Sequence, residues 1–383
     1  MPRLSTESLS ALPDIKKMKK YLLLCVLSGL LCATPCQAAE IVPEAIPAAS
    51  YFPIVPLQAG VDETPQLLPV ASNRPLEGDH TGLTRAVFII HDISRNAESA
   101  LAMMVAMAGP ASASTIILAP QFLLEADIAR FAKHLPEQGK MFARWPLGQW
   151  EEGGDSAAAV PRKAISSFTA LDLLLLYVGD RKFFPDLKEI VIAGHGTGGD
   201  FVQRYAASGK AIDVLDQQNI PIRFVSANAS SYLYFTSMRP TAGKRGFSTP
   251  DAKACPNFNA YRYGLDNANA YIRRAGANAI KLNYPLREVF YLTGEKAAGP
   301  DILADTSCAA LLEGPDRIAR AANYKLYLSM LFGETAGKRQ TFSSVPQAGY
   351  DPVAVFGSRC GMAALFGDGM CEPPSIRTLK TPQ

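Results

Sequence analysis

Hydrophobic residues along this chain fall into short continuous runs separated by longer stretches of mixed character. Residues 85–91 (RAVFIIH), 115–119 (TIILA), 189–193 (EIVIA), 222–227 (IRFVSA) and 288–292 (EVFYL) are mostly apolar and enriched in β-branched side chains. Runs of this length, with little polar alternation, predict strands covered on both faces. Helical spacing recurs at residues 97–107, 165–178 (ISSFTALDLLLLYV), 200–207 and 315–332. Strands alternating with helices predict a doubly wound, mostly parallel sheet of the α/β class. Residues 39–80 are rich in Pro and Ala without periodicity, so they predict an extended segment, with regular structure starting at Arg85. No repeat and no composition shift after residue 80 marks a second domain. Residues 81–371 are therefore expected to form a single domain, with 372–383 as a tail. The apolar run at residues 171–177 is expected to be a buried helix face. Tyr232, Tyr234 and Phe235, just past a strand end, could line a pocket or cover the sheet edge.

The first 38 residues follow a different pattern. Lys16, Lys17, Lys19 and Lys20 precede an apolar stretch at 21–33, and Cys36-Gln37-Ala38 puts small residues at the −3 and −1 positions of a cleavage site. This predicts a secretory leader over residues 1–38, with Met18 as a second start inside it. The apolar stretch is too short for a membrane anchor, and Leu31 before Cys32 is too bulky for a usual lipidation box. An exported protein, periplasmic or secreted, with no membrane span after leader removal, is expected. Apolar residues make up 48% and charged residues 19% of the 383, which excludes a disordered chain. Of 38 basic and 35 acidic residues, five and two stand in the leader, leaving 33 of each. A neutral chain without a dense basic run is not expected to bind nucleic acid.

Cysteine usage agrees with export. Cys25, Cys32 and Cys36 depart with the leader, and Cys255, Cys308, Cys360 and Cys371 remain. An even number in an exported chain predicts two disulfides out of three possible connectivities. The short spacing of Cys360 and Cys371 favours a local loop, which leaves Cys255 with Cys308. None of these cysteines has metal-ligand spacing.

The segment richest in chemistry follows the strand at 189–193: Gly194-His195-Gly196-Thr197-Gly198-Gly199, then a helical stretch from Asp200. Gly194, Gly196 and Gly199 match G-x-G-x-x-G, the phosphate-cradling turn of dinucleotide sites. That turn belongs on the first strand of its unit, whereas at least two strands come earlier here. The next strand ends Ser226-Ala227-Asn228 without an acid for a ribose, and Asp200 would set negative charge beside the phosphates. No cofactor is expected. The same residues fit the frame of a nucleophile elbow, G-x-S-x-G, with Gly196 at the nucleophile position.

With that frame in place, the sequence resembles exported bacterial and fungal α/β-hydrolase-fold proteins whose elbow reads GHSxGG before a helix like FVQRYA. The likeness covers most of residues 85–371. It includes 88–96 (FIIHDISRN), 119–122 (APQF), 165–168 (ISSF), 225–232 (VSANASSY), Cys255-Pro256, 306–310 (TSCAA) and 357–366. It implies an α/β-hydrolase fold, whose triad runs Ser, Asp or Glu, then His along the chain. The resemblance puts Ala297, two residues after Glu295, at the acid position. It puts Tyr350, within 345–351 (VPQAGYD), at the histidine position. The histidine count makes the same point independently: His80, His91, His134 and His195 are the only four, and none follows the elbow. A phenol of ordinary pKa, about 10, is a poor substitute base.

Two functions follow. The favoured one is a non-catalytic relative with degenerate positions Gly196, Ala297 and Tyr350 that binds a small-molecule or protein ligand in its cleft. The alternative is an ester or amide hydrolase with a rearranged site at Thr197, Asp301 and His195. His91 and His195 read as packed loop and elbow residues near the oxyanion site, and Thr197 as a backbone N–H donor there. The scattered histidines predict no metal site.

Overall fold

Alternation along the central strands sorts the interior into two layers. The computed structural model describes residues 50–54, 65–131, 141–157, 163–241, 246–296, 305–367 and 371. Its strands in chain order are β1 (Ser50–Ile54), β2 (Gln66–Ser72), β3 (Arg85–Ile90), β4 (Thr115–Pro120), β5 (Glu189–His195) and β6 (Ile222–Ala227). A small hairpin, β7 (Arg239–Pro240) and β8 (Phe247–Ser248), precedes β9 (Glu288–Gly294) and β10 (Gln340–Val345). Eight of them form one sheet in the order β1-β2-β4-β3-β5-β6-β9-β10. Pairings from β4 through β10 are parallel, and only β1–β2 and β2–β4 run antiparallel. The doubly wound, mostly parallel architecture expected from the sequence is present.

Phe88, Ile190 and Phe224 face a layer built by the helices Ser167–Gly179, Thr197–Ser208 and Arg317–Phe332. Their neighbours Val87, Val191 and Val225 face the helices Ala97–Ala108, Pro352–Phe356 and Arg359–Phe366. Successive side chains in a strand point to opposite faces, so continuously apolar runs serve both layers at once. Helix starts follow from local chemistry. Asn96, Ser166 and Asp316 each accept a backbone N–H of the first turn, the usual N-cap bond.

Regular structure begins earlier than Arg85. β1 and β2 lie inside the stretch expected to be merely extended, and Pro53 and Pro69 within them mask the strand pattern. β10 departs from the sequence pattern as well, being a polar sheet edge, QTFSSV, with only partial burial. Tyr232, Tyr234 and Phe235 are core residues: Tyr232 stacks on Tyr324 at 4.5 Å and Tyr234 packs on Tyr327 at 4.4 Å. The single acid inside the run 171–177, Asp172, is buried too. It accepts from the Tyr205 and Tyr271 hydroxyls at 2.6 and 2.7 Å and from the N–H groups of Lys210 and Ala211. Those bonds tie the C-terminal end of Thr197–Ser208 to the helix before it.

All described residues lie in one compact unit, Pro43–Gln383. The leader, Ala297, Asp301, His134 and the tail 372–383 lie outside the described residues. Among those described, no helix is long and apolar enough to cross a membrane. The disulfides are Cys255–Cys308 and Cys360–Cys371, the pairing favoured by spacing.

These bridges close loops of 53 and 11 residues. From loop entropy alone, replacing Cys255 and Cys308 by Ser should cost about 4 kcal/mol, and replacing Cys360 and Cys371 about 3 kcal/mol. Urea titration of the two double variants checks the order. A reversed order would show that local packing, not loop length, governs their contribution.

Candidate functional site

The centre of the sheet's C-terminal edge is formed where β3 and β5 end side by side. After β5 the chain turns through Gly196 into the helix Thr197–Ser208. Gly196 has φ 56° and ψ −120°, a conformation that is strained for any residue with a Cβ. Strand and helix cross so closely that a Cβ on Gly198 would stand 2.4 Å from the Ile90 carbonyl oxygen. This explains the glycine density of the segment without any phosphate. Asp200, in the first helical turn, is buried and accepts from the Ser230 N–H at 2.7 Å.

After β3 come His91 and Asp92. Nε2 of His91 accepts the Phe122 N–H at 3.0 Å, so Nδ1 carries the proton and donates to the Asp92 carbonyl at 3.0 Å. Burial pushes the His91 pKa down to about 4, so the ring is neutral and structural at pH 7. It pins the strand end against Trp150, ring centroids 4.6 Å apart.

The Asp92 side chain turns back toward the Gly196 turn and Tyr350. Its Oδ1 accepts two backbone N–H groups, Ile93 at 2.7 Å and Thr197 at 2.9 Å. Its Oδ2 accepts the Tyr350 hydroxyl at 2.7 Å. Burial alone would raise this carboxyl, but the His195 ring, the Tyr350 hydroxyl and the two N–H groups outweigh it and hold the pKa at about 2. Burial and the neighbouring carboxylate push the Tyr350 phenol well above its usual value. It is therefore a permanent donor here and cannot take up a proton.

Gly196 and Tyr350 meet directly. A Cβ on Gly196 would lie 1.9 Å from the Tyr350 hydroxyl and 2.7 Å from Asp92 Oδ1. The Arg317 guanidinium covers the Tyr350 ring at 4.0 Å, and the His195 ring packs against it at 4.5 Å. His195 is itself tied down. The Asn228 amide donates to its Nε2 at 3.0 Å and to the Gly349 carbonyl at 3.0 Å, while its Oδ1 accepts the Gly294 N–H. The Nδ1 proton of His195 then faces Asp92 Oδ2 across 3.8 Å. With Nε2 already an acceptor, the ring has no lone pair left to act as a base in this arrangement.

Gly196, Thr197, His195, His91 and Tyr350 are thus brought together, whereas His80 stacks on Phe184 away from this cluster. Sequence reasoning missed Asp92, Asn228 and Arg317. Asp92 carried a usable signal, because an acid directly after a buried central strand faces the sheet's C-terminal edge and needs donors there. Beside Asp92 a cavity of about 210 Å³ opens between the N-terminal half of Ala97–Ala108 and Pro352–Phe356. Among the described residues no group of three His, Cys, Asp or Glu side chains is arranged to hold a metal ion.

No protein-family model matches the chain, and no curated protein matches it in sequence. Solved structures do. LpqC, a poly(3-hydroxybutyrate) depolymerase from Bordetella parapertussis, is 18% identical with a TM-score of 0.53, over 86% of this chain and 93% of that one. Poly(aspartic acid) hydrolase-1 from Sphingomonas sp. KT-1 is 21% identical with a TM-score of 0.49, over 80% and 95%. At such identity the first likeness speaks for the fold alone. Together with the strand order, it gives this chain the α/β-hydrolase fold.

Two outcomes are expected from this geometry. Asp92 has a pKa of about 2 against an ordinary 3.8, so it contributes about 2 kcal/mol of stability. A depressed carboxyl contributes fully above the unfolded value and loses its contribution as pH falls through the folded one. Wild-type stability should therefore drop between about pH 4 and pH 2 more steeply than that of Asp92→Asn; parallel denaturation curves would show that the charge is not held. Gly196→Ala should cost about 3 kcal/mol from backbone strain and displacement of the Tyr350 hydroxyl. In a Tyr350→Phe background the cost should fall by about 1 kcal/mol, and an unchanged cost in the double-mutant cycle would refute the contact.

Proposed function

We propose that this is an exported α/β-hydrolase-fold protein without hydrolytic activity, whose cleft binds a ligand instead of turning it over. In this reading Gly196, Ala297 and Tyr350 occupy the positions of nucleophile, acid and base. One observation carries it: the junction of Gly196, Asp92 and Tyr350. The backbone at Gly196 has the strained strand-to-helix form of a nucleophile elbow. An attacking oxygen there would need a Cβ in space taken by the Tyr350 hydroxyl.

The electrophilic half of the site is equally occupied. In this fold the oxyanion hole is made by the N–H after the nucleophile and one from the loop after the third strand. The corresponding groups, Thr197 N–H and Ile93 N–H, already serve the Asp92 carboxylate. A substrate carbonyl would have to displace an ionised group from both. The Tyr350 phenol stays protonated and is not basic, and the His195 Nε2 lone pair is engaged by the Asn228 amide, which also weighs against a rearranged site at Thr197, Asp301 and His195. Export is supported by the leader pattern and by two disulfides, which persist in oxidising compartments.

Incubation of the full chain with a fluorophosphonate probe tests the reading. Labelling no greater than that of the heat-denatured protein is expected. Covalent labelling above that level, mapped to Thr197 or any other hydroxyl of the cleft, would overturn it.

A further inference from the structure

The cavity beside Asp92 has a chemistry of its own. Its exposed wall is mostly apolar, with Ile89, Met103 and Phe356 contributing, and Ser94, Ser99 and Asp92 are among the polar residues that line it. Its volume of about 210 Å³ is the liquid volume of roughly seven waters, space for a compact molecule of about six non-hydrogen atoms. No Lys or Arg is among the lining residues. Arg95, nearby in sequence, is turned into a pair with Asp127 at 2.7 and 3.0 Å, and Arg317 sits over the Tyr350 ring.

Asp92 is therefore an ionised carboxylate held by neutral donors. A carboxylate offers about four lone-pair positions. Three are used, two on Oδ1 by Ile93 and Thr197 and one on Oδ2 by Tyr350. The remaining position on Oδ2 faces the His195 Nδ1 proton across 3.8 Å, an electrostatic contact too long for a direct hydrogen bond. A half-buried anion with one lone pair left without a hydrogen bond, lining a mostly apolar cavity, is matched by a cationic donor on a short apolar stem.

We propose that this cavity is a binding site for a primary alkylammonium compound, its ammonium donating to Asp92 Oδ2 and its stem lying against Ile89, Met103 and Phe356. The site deepens the reading of a non-catalytic binding protein and rests on it for the Asp92–Tyr350 closure remaining intact while the ligand binds. The cation adds to that closure and does not compete with it. Thr197 and Ile93 keep Oδ1, and Tyr350 keeps its bond to Oδ2. A carboxylate ligand would meet like charge, and an alcohol would bring a neutral donor to an anion that binds cations better.

The test uses the full chain with methyl-labelled methionine, titrated separately with pentylammonium, pentan-1-ol and pentanoate, with Met103 assigned by its Met103→Leu variant. Pentylammonium should shift the Met103 methyl resonance saturably and bind about tenfold or more tighter than pentan-1-ol, as expected of a charge-assisted bond. Pentanoate should not saturate. Ala100→Leu, which lengthens another lining residue on a helix that tolerates Leu, should weaken pentylammonium at least tenfold. Equal affinity for the alcohol or the carboxylate, no saturation by the cation, or an unaffected Ala100→Leu variant would each overturn the proposal. Failure of this titration leaves the fluorophosphonate result untouched. Conversely, covalent labelling would overturn the non-catalytic reading whatever the cation does.

Discussion

The Asp92 carboxylate is the point on which the cleft depends. It gathers a donor from its own loop, one from the first turn of the helix after Gly196, and one from Tyr350 near the C-terminal part of the chain. Three segments far apart in sequence are thereby fixed within one side chain's reach. Such a group is costly to bury, and the cost is offset only because each oxygen is hydrogen-bonded. The arrangement also sets the states of its neighbours. It keeps Tyr350 protonated and orients the His195 proton toward itself while Asn228 holds the ring's other nitrogen.

The surrounding fold supplies rigidity to this point. β3 and β5 are adjacent parallel strands in the middle of the eight, buried on both faces, so their C-terminal ends have little freedom to separate. The helix after Gly196 is pressed onto them by the near-contact at Gly198 and anchored at its far end through Asp172. The neutral His91 bridges the β3 end to the loop at Phe122. A network supported from so many sides is expected to hold one geometry, and satisfied buried polar groups of this kind favour a single arrangement.

How much of this was legible in the sequence depended on which physical signal each part leaves. The five central strands announce themselves, because two-sided burial demands unbroken apolar runs. β1 and β2 do not, since Pro53 and Pro69 imitate loop composition, and β10 hides as a half-exposed edge. The glycine turn at 194–199 was readable because close crossing excludes side chains. Its electrostatic partner was not. Asp92 is one acid among many in sequence, and nothing in its immediate neighbours announces that a tyrosine 258 positions away will complete its shell. Long-range hydrogen bonding of this type leaves no periodicity to detect. Asn228 illustrates the same point, being visible at a strand end only as a missing acid although it bonds three separate segments.

The near-contact at Gly196 also bears on how such a chain can change over generations. A serine at this position meets the Tyr350 hydroxyl and the Asp92 oxygen before it meets any substrate. Removing Tyr350 first takes a donor from an ionised, half-buried carboxylate, and removing Asp92 first strands two backbone N–H groups. Each single step is therefore expected to cost stability, and combined replacement recovers only the part that comes from the shared contact. Positions 92, 196 and 350 are therefore coupled through one contact, so a substitution at any of them changes the cost of a substitution at the other two.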